Sequence, residues 1–228
     1  MNSKIKECML SPEQRYLILQ GIKNSKEAFR ESTQSIPNTV TKKHTPHLLS
    51  DLINEHVLRM IEQNPHTQMK VYPKIAGFHP YIAIHDTVRN IFILLSKLPK
   101  SKYIMSPSGY RKEFSSANLN RLLDMGVPQD ELLKDVPVYQ GSLFLGEANQ
   151  PFGIIVCYDS KSDIVFEGAL RPDQEDWIFK EDITDDINLT TGSLFGLNSH
   201  NLEDIKVTLK TTTADDEIVL KLKNSTSS

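Results

Sequence analysis

A few histidine and aspartate side chains of this chain have spacings that suit acid–base chemistry. His47 and Asp51 are four residues apart, so on a helix they share one face and lie close enough to pair. A histidine oriented by a carboxylate is one way to build a general base. His85 stands at the end of a predicted strand. If the protein is an enzyme, we therefore expect its catalytic residues to be His47, Asp51 and His85.

Basic residues of the N-terminal half form a candidate surface for nucleic acid. The whole chain has a formal net charge of -3, but Lys and Arg are in excess in its first half and Asp and Glu in its second. A basic stripe on a helix can contact phosphates, although a solvated helix face has the same pattern. The candidate nucleic-acid contacts are Lys23, Lys26, Arg30, Lys42 and Lys43.

Acidic and aromatic residues are interleaved between Asp173 and Asp186, in a segment that we call the acidic stretch. Carboxylates at this density can face a basic partner, and aromatic side chains supply the apolar anchors on which interface energy depends. A solvated acidic face has the same charges, and the spacing does not match an EF-hand calcium loop. The predicted partner-binding residues are Asp173, Glu175, Asp176, Trp177, Phe179, Asp182, Asp185 and Asp186.

Standard catalytic and cofactor motifs are missing from the sequence. It contains no GxxxxGK[ST], GxGxxG, GxSxG, HExxH or CxxC segment, which argues against ATP-driven chemistry, a classical serine hydrolase and a structural zinc site. We therefore predict no metal and no cofactor. The leading interpretation is a non-enzymatic protein that binds a protein partner through the acidic stretch. The alternatives are a nuclease-like or RNase-like enzyme and a small-ligand-binding sensory domain.

The composition is typical of a globular protein in a reducing compartment. Apolar residues make up 39% of the 228 residues and charged residues 24%. Only two cysteines are present, which does not favour a disulfide framework. No apolar run approaches the roughly 20 residues of a membrane-spanning helix, and the first residues lack the apolar segment of a secretory signal. We expect a cytoplasmic protein without membrane contact.

Two amphipathic helices are predicted to position the candidate histidine and the basic stripe. The first begins at Ser11, whose hydroxyl can form a capping box with Gln14, and extends to about residue 33. The second begins at Thr45, carries a wide apolar arc, and ends before Pro65. The arc is expected to pack on a sheet that contains residues 152–158.

Alternating apolar residues predict strands over most of the remaining chain. The clearest hairpin joins residues 152–158 to residues 163–170, and another joins residues 81–85 to residues 90–96. Residues 88–97 could instead be helical, and a short helix is predicted over residues 118–125. A third hairpin is predicted within residues 205–223.

The order of these elements predicts an α+β fold. N-terminal helices should pack on a mainly antiparallel sheet built from the C-terminal hairpins. No linker of distinct composition divides the chain, so residues 1–223 are predicted to form a single domain. The alternative is two lobes, a basic helical one over 1–135 and an acidic, β-rich one over 136–223. Residues 224–228 are expected to form a disordered tail.

The layout also resembles a bacterial and phage domain family of unknown function. The segments that carry the resemblance are HLLSDLIN at residues 47–54, the apolar hairpin of residues 81–95, and residues 154–159. Such families have a larger aromatic residue before the aspartate, where this chain has Ser50. The resemblance implies a small cytoplasmic protein of the accessory gene pool, with a toxin, defence or counter-defence role, and it implies no reaction.

Overall fold

The computed structural model describes residues 3–34, 45–77, 79–99, 108–124, 126 and 151–187. The described helices are α1 (Ser3–Glu7), α2 (Pro12–Gln34), α3 (Thr45–Glu62) and α4 (Gly109–Asp124), with a 3-10 turn at Pro65–Thr67. The described strands are β1 (Met69–Ala76), β2 (His79–Asp86), β3 (Ile91–Lys97), β4 (Phe152–Tyr158), β5 (Val165–Leu170) and β6 (Trp177–Asp182). The predicted α+β class is confirmed. None of the described helices is long and apolar enough to cross a bilayer.

The first long helix begins as its sequence predicts. The Ser11 hydroxyl oxygen accepts a hydrogen bond from the Gln14 backbone N–H at 3.2 Å, and the Gln14 side chain accepts one from the Ser11 N–H at 3.1 Å. This reciprocal pair is a capping box, which satisfies backbone donors that the helix itself leaves unpaired. The second predicted helix is also confirmed, because α3 begins at Thr45 and ends before Pro65.

The described strands form one six-stranded sheet in which strand order follows chain order. Four of the five neighbouring pairs are antiparallel, and the two clearest predicted hairpins are confirmed as β2–β3 and β4–β5. The alternative of a helix over residues 88–97 is wrong, since these residues include β3. Strands β3 and β4 are parallel, so the chain must cross over between them, and α4 lies in this connection.

Helix α4 is longer than the sequence predicts. It begins at Gly109, nine residues before the predicted start, and ends at Asp124. Its first half contains a glycine and two adjacent serines, which have weak helix propensity, so local pattern does not reveal it. The predicted hairpin within residues 205–223 and the predicted tail of residues 224–228 lie outside the described residues.

The main hydrophobic core packs helices α1, α2 and α3 against one face of the sheet, and Leu119 and Leu122 of α4 also belong to it. We call this face of the sheet the helix face. Gly21 of α2 lets the two long helices approach closely, because a Cβ atom there would lie 2.7 Å from a methyl group of Val57. The described residues belong to a compact unit that extends to Ile187. Fully buried side chains of this core include Ile18, Ile22, Ile53, Ile84, Ile91, Ile93, Phe152 and Ile154.

One ion-pair network extends from this core to the protein surface. Glu167 of β5 points toward the helices and is fully buried. Its carboxylate accepts hydrogen bonds from the Leu10 backbone N–H and from Arg15 Nε, both at 2.7 Å. The Arg15 guanidinium also donates to Glu181 at 2.8 Å and to Asp186 at 2.7 Å. The network therefore connects the start of α2 to β5, to β6 and to the residues that follow β6.

The buried carboxyl of Glu167 predicts a pH dependence of stability. Burial outweighs the favourable contacts of Arg15 and the Leu10 N–H, and it raises the pKa of Glu167 from its ordinary value of 4.5 to about 7. The folded state therefore retains a proton that the unfolded chain releases above pH 4.5. This contribution to stability is complete below pH 4.5 and is lost as the pH rises to about 7. We expect the free energy of unfolding to fall by about 3 kcal/mol across this window.

Urea unfolding at several pH values between 4.5 and 8 measures this slope. The Glu167→Gln variant keeps the shape of the side chain and cannot ionise, so its unfolding free energy should lose this part of the pH dependence. An equal slope in the parent protein and the variant would assign the pH dependence to other groups.

Candidate functional site

The predicted catalytic residues do not meet in one place. The imidazole of His47, at the start of α3, stacks on that of His79 with ring centroids 5.5 Å apart, and both side chains are exposed. His85 lies six residues beyond His79 on β2, and at the usual rise of a strand this separates the two histidines by about 20 Å. Asp51 is exposed on α3. Among the described residues, no group of three or more potential metal-ligating side chains is close enough to hold an ion.

The two residues that end β2 point to opposite faces of the sheet. Asp86 points to the helix face, is 2% exposed, and accepts hydrogen bonds from Gln14 Nε2 and Arg89 Nε, each at 2.8 Å. His85 points to the other face, where its ring stacks on Phe92 with centroids 4.2 Å apart. Asp86 therefore has a structural role, whereas His85 belongs to a separate surface.

The predicted nucleic-acid contacts differ in how far their side chains are exposed to solvent. Lys26 is 6% exposed, and its ammonium donates to the Ser162 carbonyl at 2.6 Å. Burial lowers the pKa of Lys26, an effect that nearby Asp163 opposes. Lys23 and Arg30 are exposed on α2. Lys42 and Lys43 lie outside the described residues.

The acidic stretch is partly committed to the fold. Phe179 is 6% exposed in the main core, and Trp177 packs over Gly168, so closely that a Cβ at that glycine would lie 2.7 Å from the indole. Asp186 is held by Arg15 at 2.7 Å. Three further members accept backbone N–H groups of local turns, and they are Asp173, Asp176 and Asp182. The exposed carboxylates of the predicted set are Glu175, Asp182 and Asp185.

The face of the sheet opposite the helix face, which we call the groove face, contains an aromatic groove of about 440 Å³. Its floor is Ala83, which has a small side chain and is 6% exposed. Its described walls come from β1, β2, β3, the start of β4, and α4. The groove is lined by Tyr72, Lys74, Tyr81, Ala83, His85, Phe92, Phe114, Ala117, Pro151, Phe152 and Gly153.

Strand register explains why these side chains surround one small residue. Tyr72 is the cross-strand partner of Ala83, Lys74 that of Tyr81, and His85 that of Phe92. Directly paired residues project from the same face of a sheet, and so do alternate residues of one strand. The aromatic side chains therefore rise on three sides of Ala83 and leave a depression above its methyl group.

Helix α4 supplies the remaining described wall. The backbone of Phe114 lies against Gly153 of β4, where a Cβ atom would be 2.5 Å from the Phe114 carbonyl oxygen. The buried Asn118 side chain fixes this contact: its carbonyl oxygen accepts from the Gly153 N–H at 2.6 Å, and its NH₂ donates to the Gly153 and Leu170 carbonyls at 3.1 and 3.0 Å. A glycine and an asparagine thus hold the aromatic ring of Phe114 over the groove.

The described lining of the groove is mostly aromatic and apolar. No carboxylate is among its described lining residues. The Nε2 atom of His85 is 2.9 Å from the Asn90 side-chain oxygen, so this nitrogen has a hydrogen-bond partner within the fold. Aromatic walls, a small floor and one lysine at the rim are the features of a ligand site with few polar groups. Apart from His85, these lining residues were not selected from the sequence. The local signal for four of them is that Tyr72 and Lys74 are alternate residues of β1, and Tyr81 and Ala83 are alternate residues of β2, so each pair shares one face of its strand.

Comparison of the chain with models of known protein families, with curated proteins and with solved structures finds no match. The resemblance to a bacterial and phage family therefore stays a prediction.

Proposed function

We propose that this chain is a non-enzymatic binding protein that holds a small molecule in the aromatic groove. The observation that carries the proposal is the arrangement of the aromatic side chains of Tyr72, Tyr81, His85 and Phe92 around the small floor residue Ala83. A volume of about 440 Å³ is within the usual range of sites for small ligands. The groove also joins four strands and one helix, so a ligand would contact elements that are far apart in the sequence.

The acidic stretch has less support as the primary binding site. The two aromatic residues expected to anchor a partner there, Trp177 and Phe179, pack within the fold. A basic protein partner stays a second candidate, supported by the exposed carboxylates Glu175, Asp182 and Asp185. The enzyme alternative has less support, since His47 and His85 belong to separate surfaces.

A cytoplasmic location and a role as a bacterial or phage accessory protein are part of the same proposal. Both cysteines, Cys8 and Cys157, are free and buried. Burial raises the pKa of Cys157 to about 12, so its thiol is suited to packing rather than to redox chemistry. Free thiols fit a reducing compartment. The accessory role is supported only by the family resemblance.

Filling the groove from its floor tests the proposed function. We expect the Ala83→Leu variant to lose binding of aromatic fragments by at least tenfold, because the larger side chain occupies the space above the floor. The measurement is ligand-observed NMR with a mixture of neutral, anionic and cationic aromatic fragments. Ala76→Leu is a matched control, since Ala76 lies on the same sheet and does not line the groove.

Overpacking at a buried alanine costs about 1–3 kcal/mol, so circular dichroism and thermal unfolding must show that Ala83→Leu is folded. The Tyr72→Ala variant provides a second route, because Tyr72 is 41% exposed and its removal opens one wall without overpacking. The proposal is wrong if no fragment binds the parent protein, or if both variants bind the fragments as well as the parent does.

A further inference from the structure

The aromatic rings of the groove define the shape of the ligand that fits it. His85 and Phe92 stack in parallel, with an interplanar angle of 4° and centroids 4.2 Å apart. Tyr72 stands beside them, with its ring centroid 6.4 Å from that of His85 and its plane tilted by 40°. A flat ring placed above Ala83 can meet such walls face-on or edge-on, which are the geometries that aromatic pairs prefer. A bulky aliphatic ligand would forgo these contacts.

Charge defines a second property of the ligand. Lys74 is exposed and lines the groove, and the described part of the chain supplies it with no ion pair. The described lining contains no aspartate or glutamate that could neutralise it. A ligand that brings a negative charge to the end of the groove near Lys74 would therefore gain an ion pair there. A cationic ligand would meet repulsion.

Size limits the ligand to a small molecule with one aromatic ring system and one charged group. The groove volume of about 440 Å³ is near the low end of the range for small-molecule sites. Lys74 is the cross-strand partner of Tyr81, so the cation and the aromatic walls lie side by side. The anionic group of the ligand should accordingly reach Lys74 when the ring lies above Ala83.

From these observations we propose that the ligand is a planar aromatic anion, a ring system that carries a phosphate or a carboxylate. The proposal rests on the proposed function, because it assigns the chemistry of the ligand that the same groove holds. Tyr72, His85, Phe92 and Phe114 contact the ring, and Lys74 contacts the anionic group. A nucleoside monophosphate and an aromatic carboxylate share this chemistry.

Titrations with defined probes test the ligand class. Isothermal titration calorimetry would use adenosine 5′-monophosphate and 2-naphthoate as aromatic anions, adenosine and 2-naphthol as neutral aromatic compounds, and ribose 5-phosphate as a non-aromatic anion. We expect at least one aromatic anion to bind tenfold or more tightly than its neutral counterpart and than ribose 5-phosphate. Which of the two anions binds more tightly distinguishes a phosphate from a carboxylate.

Two lysines on one strand provide matched variants. Lys70 and Lys74 lie on the same face of β1 and are both exposed, but only Lys74 lines the groove. We expect Lys74→Gln to reduce the preference for the anion to less than threefold, and Lys70→Gln to preserve it. The ligand class is overturned if neutral or cationic rings bind as tightly as the anions, or if the two lysine variants weaken binding equally.

The outcomes separate this inference from the proposed function. If neutral rings bind as tightly as the anions and Ala83→Leu prevents their binding, the groove is a ligand site and only the anionic class is wrong. If no probe and no fragment binds, the proposed function itself is wrong. A short single-stranded oligonucleotide that binds a hundredfold more tightly than the monophosphate would overturn the assignment to a small molecule.

Discussion

Replacing Arg15 by methionine should lower the free energy of unfolding by about 3–5 kcal/mol. Among the residues that the structure describes, Arg15 is the cation that pairs with Glu167, and it also pairs with Glu181 and Asp186. Methionine retains much of the apolar stem of arginine but none of its donors. Its introduction leaves the fully buried carboxylate of Glu167 without its charged partner, and breaking one side of a buried ion pair costs more than the pair itself contributes.

Chemical denaturation at pH 5 and pH 8 measures this effect and tests its origin. The loss should be larger at pH 8, because protonation of Glu167 at pH 5 relieves the unpaired charge. Arg59→Met is the control, since Arg59 is 60% exposed and pairs with Glu55 on one helix face, where ion pairs contribute little. A loss below about 1 kcal/mol in the Arg15 variant would mean that water reaches Glu167 and that the network contributes little.

Replacing Asn118 by alanine should lower the free energy of unfolding by about 3 kcal/mol or more, because three buried backbone groups lose their partner and each such loss costs about 1–3 kcal/mol. The Asn118 side chain is fully buried and satisfies the N–H and carbonyl of Gly153 and the carbonyl of Leu170. Because Asn118 attaches α4 to β4 and β5, the variant should also loosen the wall that carries Phe114 and weaken binding in the groove. Urea unfolding measures the loss of stability.

Two variants on the same helix separate this bonding from a general effect of substitution. Asn120→Ala replaces an exposed asparagine of α4, and its unfolding free energy should change by less than about 0.5 kcal/mol. Asn118→Asp keeps the acceptor for the Gly153 N–H but loses both donors, so its stability should also fall well below that of the parent protein. An Asn118→Ala variant as stable as the Asn120 control would contradict the role assigned to this side chain.

Local sequence patterns predicted the elements that depend on neighbouring residues. The start of α2 follows from Ser11 and Gln14, which satisfy each other's backbone donors three residues apart. Strand alternation located β2, β3, β4 and β5. In each case the interactions that decide the element lie within a few residues of chain, so their pattern is visible without the fold.

The functional surface could not be derived in the same way, because it depends on which strands become neighbours. The parallel pairing of β3 and β4 places Phe92 beside Gly153, and α4 in turn brings Phe114 to the same place. The residue types of His47 and His85 suit acid–base chemistry, but only the tertiary structure shows that His47 lies beside His79, six residues along β2 from His85.

The sequence by itself determined the helix starts, the hairpins, the α+β class and the contrast between a basic and an acidic half. Only the tertiary structure decided which of those charged side chains form ion pairs or hydrogen bonds within the fold. Arg15 meets Glu167 across 152 positions, and Lys26 meets Ser162 across 136. Such partners are selected by packing and by the cost of burying an unpaired charge, and neither is recorded in the spacing of residues along the chain.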